Sequence, residues 1–112
     1  MTAAAYNLQI DQGSDFALDL VVKEDGTAKN LTGYSARAQM RSTKGASAVA
    51  GTFTCTIPGA AAGEVKMELS NATSSAISSG KYYYDLELYT ANDVLVSRLM
   101  GGSIILTPEV TR

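Results

Sequence analysis

The stretch Lys81-Tyr82-Tyr83-Tyr84-Asp85-Leu86-Glu87-Leu88-Tyr89-Thr90 decides the fold. In an extended chain, side chains point alternately to opposite faces. Tyr82, Tyr84, Leu86 and Leu88 then share one face, and Lys81, Tyr83, Asp85, Glu87 and Tyr89 share the other. One apolar face and one largely charged face predict a strand with a core on one side and water on the other.

The same alternation recurs on both sides of this stretch. Phe16, Leu18, Leu20 and Val22 point one way, as do Ala36, Ala38 and Met40 within Ser35–Arg41. Phe53, Cys55 and Ile57 alternate with threonines over Thr52–Ile57, and Val65, Met67 and Leu69 alternate with Glu64, Lys66 and Glu68. Tyr6–Ile10, Val94–Met100 and Ser103–Leu106 complete about eight strands, with Gly101-Gly102 expected to supply a bulge or bend. Turn chemistry separates them: Glu24-Asp25-Gly26-Thr27, the Pro58-Gly59 stop, Ala60–Gly63, and Ala91-Asn92-Asp93. Residues 42–51 are small and lack a period, which predicts a loop. Residues 71–78 break the alternation; Asn71 is expected to cap one helical turn, with Ala72, Ala76 and Ile77 on its packed side. Leu31 and Tyr34 are placed to plug an open end of the core. The sum is an all-β antiparallel sandwich of about 7–8 strands in a single domain over residues 1–112, with a short arm at 1–5 and a tail at 107–112.

The chain's 112 residues include 46% hydrophobic and 18% charged positions. That length buries roughly two-thirds of the unfolded surface, enough for a core without disulfide or metal. Nine basic and eleven acidic residues give a net charge of −2 with no basic stripe, which argues against nucleic acid as a partner. Arg37, Arg41 and Lys44 are expected to be a solvated strand edge and loop. No apolar run is long enough to span a bilayer, and Met1–Ile10 lacks the pattern of a secretory signal. The Asn30-Leu31-Thr32 and Asn71-Ala72-Thr73 sequons are therefore expected to be accidental.

Catalytic chemistry has little to work with. There is no histidine, and the one cysteine, Cys55, lies on an inward position as a small hydrophobe. Asp85 and Glu87 sit at i and i+2 on a solvated sheet face, where paired carboxylates most often do nothing but solvate. Asp11, Asp15 and Asp19 would align on a helix, not on a strand. Glu24-Asp25-Gly26 with Asn30 lacks calcium-loop spacing. No phosphate loop or nucleophile elbow occurs. The expectation is a non-enzyme without metal or cofactor. The tyrosines are the one feature suited to recognition: Tyr83 and Tyr89 point outward, and tyrosine is large, rigid and half polar.

Several of these segments together resemble a known family. Gln12-Gly13-Ser14-Asp15-Phe16 leads to Asn30-Leu31-Thr32-Gly33-Tyr34, then Gln39-Met40-Arg41, Ser79-Gly80-Lys81-Tyr82-Tyr83-Tyr84-Asp85-Leu86-Glu87 and Leu106-Thr107-Pro108-Glu109. This order resembles small structural proteins of tailed phages with an immunoglobulin-like fold, and is similar to the N-terminal domain of the upper baseplate protein. Asn30 and Ser79 stand where aspartate and alanine are common in that family. The resemblance implies an immunoglobulin-like sandwich in the virion, made in the host bacterial cytoplasm. With no further domain in the sequence, it implies a tail or baseplate adaptor or connector that contacts other virion proteins and copies of itself. A head-decorating protein and a carbohydrate-binding surface module are the alternatives. The expected mode is edge pairing plus burial of apolar and tyrosine surface. The expected contact residues are Ala3, Ala4, Ala5, Tyr6, Tyr83, Tyr89, Pro108, Glu109, Val110, Thr111 and Arg112, with neither nucleic acid nor membrane as a partner.

Overall fold

Strands form at every segment where the period-two pattern predicts one, although the strand expected from Tyr6 begins at Leu8 and the one expected from Val94 begins at Val96. The computed structural model describes residues 4–110. Its strands are β1 (Ala4–Ala5), β2 (Leu8–Asp11), β3 (Phe16–Val21), β4 (Lys23–Glu24), β5 (Thr27–Ala28), β6 (Ser35–Arg41), β7 (Gly51–Gly59), β8 (Glu64–Leu69), β9 (Gly80–Tyr89) and β10 (Val96–Thr107). A helical turn, α1 (Asn71–Ser75), links β8 to β9.

Two layers face each other across one core. The first runs β10-β9-β6, with β1 and β2 beside β10. The second runs β3-β8-β7. Strand β7 belongs to both: Gly51–Phe53 pair with β6, and Thr54–Gly59 pair with β8. If β2, β3, β6, β7, β8, β9 and β10 are read as strands A to G, the layers are B-E-D and G-F-C, with A beside G. That connectivity makes the domain an immunoglobulin-like sandwich. Between the layers lie Ile10, Leu31, Met40, Val65, Met67, Leu86, Leu88, Ile104 and Leu106, each essentially inaccessible to water. Phe53, on the strand that passes between layers, meets the Phe16 ring at 6.1 Å and the Tyr84 ring at 6.4 Å, distances suited to edge and tilted aromatic packing.

Five local expectations need correction. First, the sandwich is not wholly antiparallel: β1 and β2 run parallel to β10. Ala4 and Ala5 are thus paired with Met100 and Gly101 instead of extending as an arm, and Tyr6 is held by its N–H to the Gly101 carbonyl and its carbonyl to the Tyr84 hydroxyl. Second, β10 is one unbroken strand, and its bulge falls at Leu99, between the Arg98–Glu87 and Met100–Leu86 pairs. Gly102 serves another purpose. A Cβ there would come within 2.5 Å of the Tyr6 carbonyl oxygen, so glycine lets the N-terminal segment lie close to β10. Third, β7 continues past Pro58, because the proline sits in a register shift between Thr56 and Gly59 where no ladder N–H is required. Fourth, the cap of α1 is Ser70, whose Oγ accepts the Thr73 N–H, while Asn71 donates to Asp15. Fifth, the packed residues of that turn are Ser74 and Ile77; Ala72 and Ala76 are exposed. Hydrogen bonding decides the last point, since Ser74 Oγ accepts the Gly13 N–H at 3.0 Å and donates to the Ser14 carbonyl at 2.9 Å.

The two ends of the sandwich differ in character. At one end the turns before β3, after β8 and after β10 are tied by polar side chains. Gln12 donates to the Ile77 carbonyl and accepts the Glu109 N–H, and Thr107 Oγ1 donates to Asp11 at 2.7 Å. At the other end lie the β4–β5 hairpin, the Ala60–Gly63 turn and the β9–β10 loop. The hairpin turns on Asp25 and Gly26, both with positive φ, as a two-residue turn between twisted strands requires.

Candidate interaction surface

The outer face of the β10-β9-β6 layer carries the outward row of β9. Cross-strand register sets Ser35, Tyr89 and Val96 in one line, Arg37, Glu87 and Arg98 in the next, and Arg41, Tyr83 and Ser103 further along. Arg37 Nε bonds Glu87 at 2.9 Å, and its Nη1 reaches Asp93 at 3.3 Å. Its guanidinium carbon lies 4.3 Å from the centre of the Tyr89 ring. The Glu87 hydrogen bond, against some desolvation, and the neighbouring Asp93 raise the Arg37 pKa further above its ordinary value. Arg98 pairs with Asp85 at 3.3 Å.

Tyr83 and Tyr89 do share the outward face, but neither offers a bare ring. Tyr89 is covered by Arg37. Near Tyr83 lie the ammonium groups of Lys44, 5.7 Å from the ring centre, and Lys81, at 5.5 Å. Beside Tyr83 is a shallow depression of about 650 Å³ whose lining includes Ala5, Arg41, Lys44, Asp85 and Arg98. The Arg41 guanidinium holds the carbonyls of Ala46 and Ser47, which fixes the otherwise patternless 42–50 loop over this end of the sheet.

Of the described terminal candidates, Ala5 borders the depression beside Tyr83 and the others do not. Ala5 and Tyr6 are exposed beside β10. Pro108 and Val110 are exposed, and Glu109 is half-buried against Gln12 at the polar end. Ala3, Thr111 and Arg112 fall outside the described residues. The structure therefore separates the tyrosine pair from Pro108–Val110.

A surface outside that set stands out. Val94, Leu95 and Val96 are consecutive and 76%, 56% and 46% exposed. They lie where the β9–β10 loop runs into β10, with Val96 the first residue of that strand. Thr90 braces this segment, accepting the Leu95 N–H on its hydroxyl at 2.9 Å and donating its own N–H to the Leu95 carbonyl at 3.0 Å. Arg37 adds its bond to Asp93. The sequence held the signal, three aliphatic residues in a row after a tight turn. Period-two reading assigns half of such a run to a core that here ends at Leu88.

Several other polar side chains are engaged within the domain. Glu24 is drawn to Lys29 at 2.7 Å; that hydrogen bond lowers the Glu24 pKa and raises that of Lys29. Asn30 accepts from the N–H and hydroxyl of Thr32. The side-chain oxygens of Glu24 and Asn30 are thus engaged locally. Cys55 is half-buried, and burial pushes its thiol up to about 11.

No protein-family model matches the chain, and no curated protein matches it. A solved structure from photo-crosslinking work on multimeric cell-adhesive interactions of VGSC beta subunits is similar over 96% of this chain and 93% of that one, with 14% identity and a TM-score of 0.43. Among the described residues no helix is long and apolar enough to cross a membrane.

Proposed function

We propose that this immunoglobulin-like domain is a structural module of a phage virion, an adaptor or connector in the tail or baseplate that works through protein–protein contacts. The sequence segments resembling phage structural proteins support the setting. The observation that carries the contact role is the braced segment Val94-Leu95-Val96. Large, partly exposed aliphatic residues in a row on a braced loop are stabilised when a partner's apolar surface covers them. Fully burying a Val or Leu contributes about 1.5–3 kcal/mol, so covering three partly exposed ones contributes about 3 kcal/mol. The cations over Tyr83 and Tyr89 occupy ring faces that a stacked sugar would need, which favours the protein-contact reading over the carbohydrate one.

The test is a V94S/L95S/V96S variant. Its melting temperature should stay within a few degrees of wild type, because all three residues are half or more exposed or nearly so. Its affinity for the neighbouring virion protein should fall roughly a hundredfold. Immunogold labelling of particles separates tail from head. Normal incorporation of the triple variant would remove this segment from the mechanism, and absence of the chain from purified particles would remove the virion reading.

A further inference from the structure

The two outer faces of the sandwich carry opposite charge. On the β10-β9-β6 face, Asp85 and Glu87 are each matched by an arginine, Arg98 and Arg37. Around Tyr83, Arg41, Lys44 and Lys81 have no carboxylate within ion-pair distance among the described residues. Register sets the exposed Ile105 directly beside Lys81. The β3-β8-β7 face is the reverse. Asp19 lies opposite Lys66, and Glu64 and Glu68 flank that lysine along β8, so three carboxylates surround one cation. Val21, half exposed, lies opposite Glu64.

We infer that the domain stacks on copies of itself, the Arg41–Lys44–Lys81 face of one copy against the Asp19–Glu64–Glu68 face of the next. The inference rests on the assembly reading above, and it names the partner as a second copy. Charge complementarity chooses the occupant: each face repels its own kind and attracts the other. Each also offers one exposed aliphatic residue, Ile105 or Val21, for contact. The molecule measures 42 by 27 by 24 Å, so a broad face supplies on the order of 1,000 Å², against roughly 800 Å² per partner in an ordinary interface. The two faces lie on opposite sides of one domain. The contact is therefore heterologous, and repetition gives a ring or an open stack, not a two-fold dimer.

Charge-swapped variants test this. Sedimentation velocity of the wild-type chain in about 20 mM salt should show a weight-average mass at least about twice the monomer's, collapsing toward monomer near 300 mM, where screening is strong. K44E/K81E makes both faces acidic, and E64K/E68K makes both basic; each alone should remain monomeric in low salt. An equimolar mixture should associate again, since each variant then meets its complement. Lys81, Glu64 and Glu68 occupy outward strand positions and Lys44 is exposed in the 42–50 loop, so circular dichroism should match wild type. Wild-type protein that stays monomeric in low salt overturns the stacking, as does association that persists in the single variants or fails to return on mixing. A wild-type chain that stays monomeric yet cross-links to a different protein in particles sinks the stacking and leaves the virion reading. Low-salt stacking by a chain absent from particles does the opposite.

Discussion

Replacing Ser74 with alanine tests how the polar end of the sandwich is held. Ser74 is wholly buried, and its hydroxyl is a two-way clasp between α1 and the turn before β3. Alanine leaves the Gly13 N–H and the Ser14 carbonyl without that partner. The turn cannot swing out to water, because Asp15 is bonded to Asn71 and Gln12 to the Ile77 carbonyl. An unsatisfied buried group costs roughly 1–3 kcal/mol, and two partly buried ones set the expected loss at about 2–3 kcal/mol. With an unfolding entropy of about 2.1 cal/mol/K per residue over 112 residues, each kcal/mol is worth about 4 °C, so the melting temperature should fall by about 8–12 °C. Ser75→Ala is the control. Its hydroxyl is exposed, bonds the Ala72 carbonyl at 3.1 Å, and should matter by less than about 0.5 kcal/mol. Calorimetric melts of both variants give the answer. If Ser74→Ala melts within about 2 °C of Ser75→Ala, the clasp does not hold the turn and the reasoning is refuted.

Three further outcomes follow from the fold. Gly63→Ala should cost about 2–4 kcal/mol in urea unfolding, because Gly63 has φ +72° and a Cβ would lie 2.6 Å from the Val22 carbonyl oxygen; Gly26→Ala, also at positive φ but with open space around it, should cost only about 1 kcal/mol, and equal costs would contradict the crowding argument. Burial, with a smaller contribution from the Tyr6 charge, pushes the Tyr84 phenol from 10.0 up to about 12, so its share of stability is whole below pH 10 and is lost as pH rises toward 12. Urea midpoints at pH 9 and 11.5 should therefore fall more for wild type than for Tyr84→Phe, and a pH-independent gap between the two proteins would show that the phenol is not protected. With its thiol raised to about 11, Cys55 should alkylate at pH 8 on the order of a hundredfold more slowly than a free cysteine and at the free rate once urea unfolds the chain; fast labelling of the native protein would place the thiol in water.

Much of this architecture is written in local pattern. The outward and inward rows of β3, β6, β8 and β9 follow from alternation alone, since burial of one face is what selects the residues. The sequence loses its grip where long-range hydrogen bonds choose between local options. Nothing near Ala4 announces a parallel partner ninety-six positions away at Met100. Leu99 is the bulge because Glu87 and Leu86 on the opposite strand are taken by Arg98 and Met100. Ser74 is buried in preference to two alanines because a turn sixty residues earlier needs its hydroxyl. The candidate surface divides in the same way. That Tyr83 and Tyr89 face outward was legible; that Arg37 and Lys44 cover them was not, since those cations come from another strand and a loop. The separation of charge onto opposite faces likewise appears only once register sets Asp19 beside Lys66.

The parallel pairing at the chain ends has a mechanical consequence. Tension applied at the two ends draws β2 back toward Ala4 and β10 forward past Thr107, so the neighbouring strands slide along each other in opposite directions. The rungs from Leu8–Ile104 to Asp11–Thr107 are then strained together, with the Thr107–Asp11 and Gln12–Thr107 bonds in parallel with them. A hairpin pulled at its open end peels one rung at a time; this pair must shear several at once. The load passes chiefly between the N-terminal strands and β10, with the Tyr6–Tyr84 bond tying in β9.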